Sequence, residues 1–205
     1  MQSILLSTSY LPPIEYFRYI HNSESIIIEQ FETYKKQTYR NRCLIYTEKG
    51  VMPLSIPVKK PNGNHTKTNE IEITEAENWQ KNHWRSIQSA YEASPFFLYY
   101  KDELEVLFNK KYGKLLDFNN DLLFILIEQI GIETPIFFTE EFVKPNNEIN
   151  DFRYKISPKH EPTIKHFPNY TQVFSQRHGF IENLSIIDLL FNLGPETLDY
   201  INSLK

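Results

Sequence analysis

Residues 2–7, Gln-Ser-Ile-Leu-Leu-Ser, then Tyr10-Leu11-Pro12-Pro13, then residues 25–29, Ser-Ile-Ile-Ile-Glu, carry the reading on which the fold class rests. The first run is short, apolar and bounded by Ser-Thr-Ser, as a buried strand should be. Proline is tolerated in the first turn of a helix, so Pro13 can open a helix to about His21, with Phe17 and Ile20 on its apolar face. The β-branched run at 25–29 reads as a second strand. Strand, helix and strand within about thirty residues form a parallel unit with a right-handed crossover. Ligands gather beyond the carboxyl ends of such strands, which here means residues 7–10 and 29–32.

Directly after this unit, residues 34–43 read Tyr-Lys-Lys-Gln-Thr-Tyr-Arg-Asn-Arg-Cys, four fixed cations in a protein of formal charge −4. As a strand, Lys36, Arg40 and Arg42 share one face; as a helix, Lys36 and Arg40 still meet. A solvated charged strand is the plain alternative. The interleaved Tyr34, Tyr39, Asn41 and Cys43 favour a built site, and the planar fork of arginine suits a phosphate or carboxylate. Cations recur at Arg153, Lys155, Lys159, Lys165 and Arg177, among His160, His166 and His178. That proline-punctuated segment, 151–179, reads as a lid bringing Arg153 and one histidine to the ligand, or else as a surface connection.

Further along, residues 44–46 and 51–58 predict strands around a Glu48-Lys49-Gly50 turn, the second broken or at an edge because Pro53 and Pro57 lack amide donors. A loop at 59–69 and a strand at 70–74 follow. Helices are expected from Glu77 or Asn78 to about Tyr91, from Phe96 to Tyr112, and over 119–130 with Gly131 as its stop. A strand at 136–139, a loop at 144–150, a short strand at 171–174 and two closing helices from Asn183 complete the pattern. Asp188, inside an apolar helix, requires a cation or amide partner. The expected fold is α/β, with an N-terminal strand-helix-strand (Rossmann-like) core, mixed strands and a helical second half in one domain, 1–205.

The absence of a broad basic surface excludes general nucleic-acid binding. No apolar run reaches the roughly 18 residues of a bilayer span, and the N-terminus lacks a secretory pattern, so a cytoplasmic location is expected. One cysteine excludes an intrachain disulfide and a cysteine-rich zinc site. Walker, Gly-x-Gly-x-x-Gly, His-Glu-x-x-His and Gly-x-Ser-x-Gly patterns are missing, and no spacing points to a metal or names a cofactor. His83 lies near Trp79, Trp84 and Arg85, where it is an acid–base candidate or a satisfied core histidine. Cys43, among arginines, is a candidate nucleophile or a buried thiol.

Tyr10-Leu11-Pro12 with Tyr16-Phe17, Tyr39-Arg40-Asn41-Arg42, residues 53–58 (Pro-Leu-Ser-Ile-Pro-Val), Trp79 with His83, Tyr91 with Ser94-Pro95-Phe96-Phe97, Asp151-Phe152-Arg153 and residues 184–192 (Leu-Ser-Ile-Ile-Asp-Leu-Leu-Phe-Asn) stand in this order over nearly the whole chain. In this the chain resembles the WbqC-like family. The resemblance implies a transferase that attaches an acyl or aminoacyl group to an amino sugar in surface-polysaccharide (O-antigen) biosynthesis. Many members open with His-Gln-Pro where this chain has Leu6-Ser7-Thr8-Ser9, so if that histidine is catalytic, either His83 or His178 substitutes for it or the chemistry differs. The opening is also distantly similar to nucleotidyltransferases with a His-x-Gly-His motif, but Glu15 and Tyr16 stand at its glycine and second histidine; only an open α/β core is implied.

These readings give a catalytic set of His83, Glu32 (or Glu29 as orienting carboxylate) and Cys43. The substrate set is Tyr10, Lys36, Arg40, Asn41, Arg42, Asp151, Arg153 and His178, around an anionic small molecule such as a sugar nucleotide or acyl donor. The competing class is a non-catalytic protein that binds an anionic metabolite, or a partner through the aromatic stretch 96–100.

Overall fold

The computed structural model describes residues 2–75, 78–145 and 150–205. The fold is mixed α/β. Strand β1 (Ile4–Ser7) leads through a turn to helix α1 (Ile14–His21) and parallel strand β2 (Ile26–Glu29), with Ile4 opposite Ile26 and Ser7 opposite Glu29. Every side chain of β1 is buried, as a continuous apolar run between two neighbours requires. The turn holds Leu11 at φ 40°, and distant groups hold the turn: Ser185 Oγ donates to the Leu11 carbonyl, and Asn183 Oδ1 accepts the Glu15 N–H at the start of α1.

Two antiparallel ribbons follow. Strands β3 (Arg42–Thr47) and β4 (Gly50–Ser55) pair from Arg42 opposite Ser55 to Thr47 opposite Gly50, and β5 (Val58–Lys59) pairs β6 (Glu72–Ile73). The expected strand over 51–58 therefore breaks at Ile56-Pro57, where proline removes a donor. Residues 34–41 are neither strand nor helix; Gln37 sits at φ 57°, a left-handed turn inside the cationic stretch.

Helices α2 (Trp79–Tyr91), α3 (Phe97–Asn109) and α4 (Leu115–Ile130) pack in succession. The alternative start of α2 at Glu77 lies outside the described residues, as does most of the expected loop 144–150. Helix α4 begins four residues before the expected position, and Gly131 at φ 81° ends it. Strands β7 (Ile136–Phe138) and β8 (Asn150–Asp151) complete one parallel sheet in the order β7-β2-β1-β8. Counted along the chain, the strands run third, second, first, fourth, so the order reverses beside β1. The long excursion from β2 to β7 through both ribbons and three helices sets the sheet apart from a repeating βαβ wind.

No strand forms at 171–174; Phe174 instead precedes the short α5 (Ser175–His178). Helices α6 (Ile186–Leu193) and α7 (Thr197–Ser203) close the chain. At the end of α6, Gly194 has φ 54°, and a Cβ there would fall 2.5 Å from the Phe96 ring, so only glycine permits this approach. One apolar core draws on residues from Ile4 to Leu204. Among the described residues no helix is long and apolar enough to cross a membrane.

Candidate functional site

The carboxyl ends of β1, β2 and β8 meet where the strand order reverses, and acidic and basic side chains fill that place. Glu29, the last residue of β2, is fully buried. Its Oε1 accepts the Phe31 N–H at 2.8 Å and the Thr139 hydroxyl at 3.1 Å; its Oε2 accepts the Val143 N–H and Arg153 Nη1, each at 3.0 Å. Arg153, just past β8, also donates Nε to Asp151 Oδ1 at 3.0 Å, Nη2 to Asp151 Oδ2 at 2.5 Å and Nη1 to the Val143 carbonyl at 2.8 Å. Burial alone would raise the Asp151 pKa, but the bonds from Arg153 outweigh it and hold the carboxyl below its usual value.

Arg40 forms the second half of the network. Its Nε and Nη2 donate to Glu32 Oε1 at 2.9 and 2.6 Å, Nη1 to Thr38 Oγ1 at 3.2 Å and Nη2 to Ser7 Oγ at 2.6 Å. Ser7, the last residue of β1, passes the chain on by donating Oγ to the Arg153 carbonyl at 3.0 Å. The neighbouring Thr8 Oγ1 and the Arg40 carbonyl both accept Asn119 Nδ2 from α4. The Leu6-Ser7-Thr8-Ser9 segment thus joins the two arginines through a hydroxyl.

The cluster contains one carboxylate more than it has guanidinium groups. Glu32 Oε2 is buried and makes no hydrogen bond. The Tyr154 phenol stands beside it without closing a bond of normal geometry; burial first, and the Glu32 charge second, raise its pKa. The Tyr154 ring is 5.8 Å from Arg40 Cζ and 5.9 Å from Arg153 Cζ, with Lys35 Nζ 3.7 Å from its centroid. Above this group opens a cleft of 240 Å³ rimmed by Lys35, Lys36, Lys159 and His160. Beneath it, a void of 10 Å³ between Ser7, Arg40 and Arg153 is about the size one water needs. A larger groove of 590 Å³ between α2 and α3 has no comparable convergence of buried charge.

Of the residues expected at the site, Glu32, Arg40, Asp151 and Arg153 converge, and Lys36 joins their rim. Neither arginine is a free fork, since each commits four of the five N–H bonds of a guanidinium to the protein. After Arg40 the chain enters β3, and Asn41 and Arg42 go elsewhere. Arg42 Nε donates to Ser55 Oγ at 3.1 Å, Asn41 Nδ2 donates to the Ile56 carbonyl at 2.9 Å, and both line a separate groove. The shared face expected for Lys36, Arg40 and Arg42 is therefore absent, because no regular element spans them.

His83 lies apart from the cleft. Its Nδ1 meets the buried Tyr10 hydroxyl at 3.0 Å, its ring lies 5.2 Å from that of Trp79, and burial lowers its pKa to about 4 against a bond with the Ser55 backbone. Tyr10 accordingly faces the core. Burial likewise pushes the Cys43 thiol well up, opposed by a backbone bond at Leu54, so the thiolate that a nucleophile needs is suppressed. His178 is exposed on the Glu48 carbonyl at 2.8 Å, and His160 is the histidine that lines the cleft. Sequence reasoning placed Ser7 at the ligand end of β1 but named neither Lys35 nor Tyr154 as a site residue; Tyr154 directly follows the Asp151-Phe152-Arg153 motif, which could have drawn attention to it. In the stretch 96–100, Leu98 and Tyr99 are exposed while Phe97 is buried.

The sequence model described as the WbqC-like protein family matches residues 8–163 and 160–200. A protein of Mycobacterium tuberculosis described as "Uncharacterized protein Rv1507c" is 25% identical over 225 residues, covering 96% of each chain. No solved structure matches the chain.

Proposed function

Because this chain belongs to the WbqC-like protein family, we propose that it is a cytoplasmic, single-domain transferase that attaches an acyl or aminoacyl group to an amino sugar in surface-polysaccharide biosynthesis. The reaction centre in this reading is the cleft over Arg40, Arg153 and Tyr154. The observation that carries it is Glu32 Oε2, a buried carboxylate oxygen that closes no hydrogen bond of normal geometry, with the Tyr154 phenol beside it. Such an atom is costly to leave unmade, and an amine or hydroxyl of a bound sugar satisfies it. Lys35, Lys36 and Lys159 at the mouth receive the anionic part of a sugar nucleotide or acyl donor.

In the transfer, the sugar amine attacks the acyl carbonyl and a C–N bond forms. The bond to the leaving group breaks with its electron pair, and the ammonium proton passes to Glu32 Oε2 and on to solvent. Arg40 holds Glu32 in place; His83 and Cys43 take no part. Metabolite capture on purified protein, read by mass spectrometry, tests the reading. A sugar nucleotide or acyl donor is expected on the native chain and absent from Glu32→Gln; retention of no anionic metabolite overturns it.

The second reading is a binding protein without chemistry, favoured by the seclusion of His83 and Cys43 in the core. Incubating the captured ligand with an amino sugar separates the two, since only a transferase yields the acylated amine.

A further inference from the structure

The cationic stretch supplies a second concavity. A groove of 400 Å³ is lined by Tyr34, Lys36, Arg42, Ser55 and Lys60 among others, and it shares Lys36 alone with the cleft. Several surface cations meet acids: Lys110 pairs with Asp121, Lys111 with Glu75, Lys114 with Glu72 and Arg177 with Glu48. Among the described residues, Lys36, Arg42 and Lys60 form no such pair. Neutral atoms hold two of them: Arg42 Nε on Ser55 Oγ, and Lys60 Nζ on Asn64 Oδ1 at 2.8 Å. Arg42 thus keeps both terminal nitrogens for a ligand, as Arg40 and Arg153 do not. The partner strand sets its direction, with Arg42 opposite Ser55 at the end of the β3–β4 ribbon.

We infer that this groove is a second anion site, for a phosphate ester or diphosphate, with the Arg42 guanidinium as its fork and Lys36 and Lys60 as flanking charges. The chemistry follows from the donors: a planar fork matches two oxygens of a tetrahedral anion, and ammonium groups add charge without fixed geometry. The scale follows from the volume, which lies in the range of small-molecule pockets. Three cations in one concavity of an acidic chain do not make the broad basic face that a nucleic acid requires. The inference stands whether or not the cleft is a transferase site.

Inorganic pyrophosphate is the probe, titrated calorimetrically into the full chain, Arg42→Gln, Lys60→Met and Lys159→Met, with thermal melts to verify folding. Lys159 lines the cleft and not the groove, so its variant reports on the cleft, and the groove is read from the binding event that Arg42→Gln changes. Losing a charge-assisted contact is expected to weaken binding roughly 10- to 100-fold in Arg42→Gln, and in the same direction in Lys60→Met, while Lys159→Met leaves the groove's own binding event unchanged. A nucleoside diphosphate that binds with the same dependence assigns the groove to an organic substrate, and pyrophosphate alone assigns it to the free ion. The inference is overturned if native protein does not bind pyrophosphate, or if both groove variants bind it normally. Loss only in Lys159→Met also overturns it, placing the anion in the cleft and leaving the proposed function standing. So does binding of a single-stranded oligonucleotide without binding of pyrophosphate.

Discussion

Arg40 and Glu32 meet at 2.6 Å with 3% and 0% of their side chains exposed, yet the arginine uses only one of the two carboxylate oxygens. The contact has two consequences. It makes Arg40 part of the folded framework, and it leaves a buried carboxylate oxygen without a hydrogen bond.

Arg40→Ala is therefore expected to cost stability as well as binding. Removing one member of a buried ion pair strands the other charge, at about 3–5 kcal/mol. Arg40→Lys keeps the charge but loses the fork that reaches Glu32, Thr38 and Ser7 together, so it should recover stability only in part. Urea unfolding of both variants measures this. A loss below about 1 kcal/mol in Arg40→Ala would show that the pair is not structural.

The seclusion of His83 predicts an imidazole that stays neutral from pH 5 to 8. Its folded pKa of about 4 lies below the ordinary 6.5, so the unfolded chain binds more protons between these values. The stability it contributes is present above pH 6.5 and lost as pH falls toward 4. Nuclear magnetic resonance of the ring carbons should find no titration above pH 5, and a midpoint near 6.5 would place His83 in water.

Asp188 should act with the opposite sign. Its Oδ2 accepts the Tyr170 hydroxyl at 2.5 Å and Gln172 Nε2 at 2.9 Å, but burial dominates and raises the pKa from 3.8 to about 6. The folded chain binds the extra proton, so the associated stability is present below pH 3.8 and lost as pH rises through 6. The shift corresponds to about 3 kcal/mol. Unfolding free energies of the native chain and Asp188→Asn at pH 4.5 and 7 should differ in slope by a large part of that amount; equal slopes would refute the assignment.

The amino-acid order by itself determined the opening β1–α1–β2 unit, because Ile-Leu-Leu and Ile-Ile-Ile runs around a Pro-Pro turn leave little alternative. It also determined the ends of α4 and α6, where glycine follows an apolar helix, and it identified the motifs of the family. It marked Glu32, Arg40, Asp151 and Arg153 as chemically unusual. Tertiary structure decided which of the marked residues meet. Ser7 bonds the Arg153 carbonyl across 146 positions of chain, and Glu29 reaches Arg153 across 124. Strands of two or three residues such as β8 and β7 carry too little periodicity to announce such pairings. Arg40 lies in irregular backbone on Glu32 whereas Arg42 opens β3 opposite Ser55, which separates the two, and burial turns His83 and Cys43 from reactive types into core groups. Side-chain type is local, whereas orientation and desolvation are set by what packs against the residue from elsewhere in the chain.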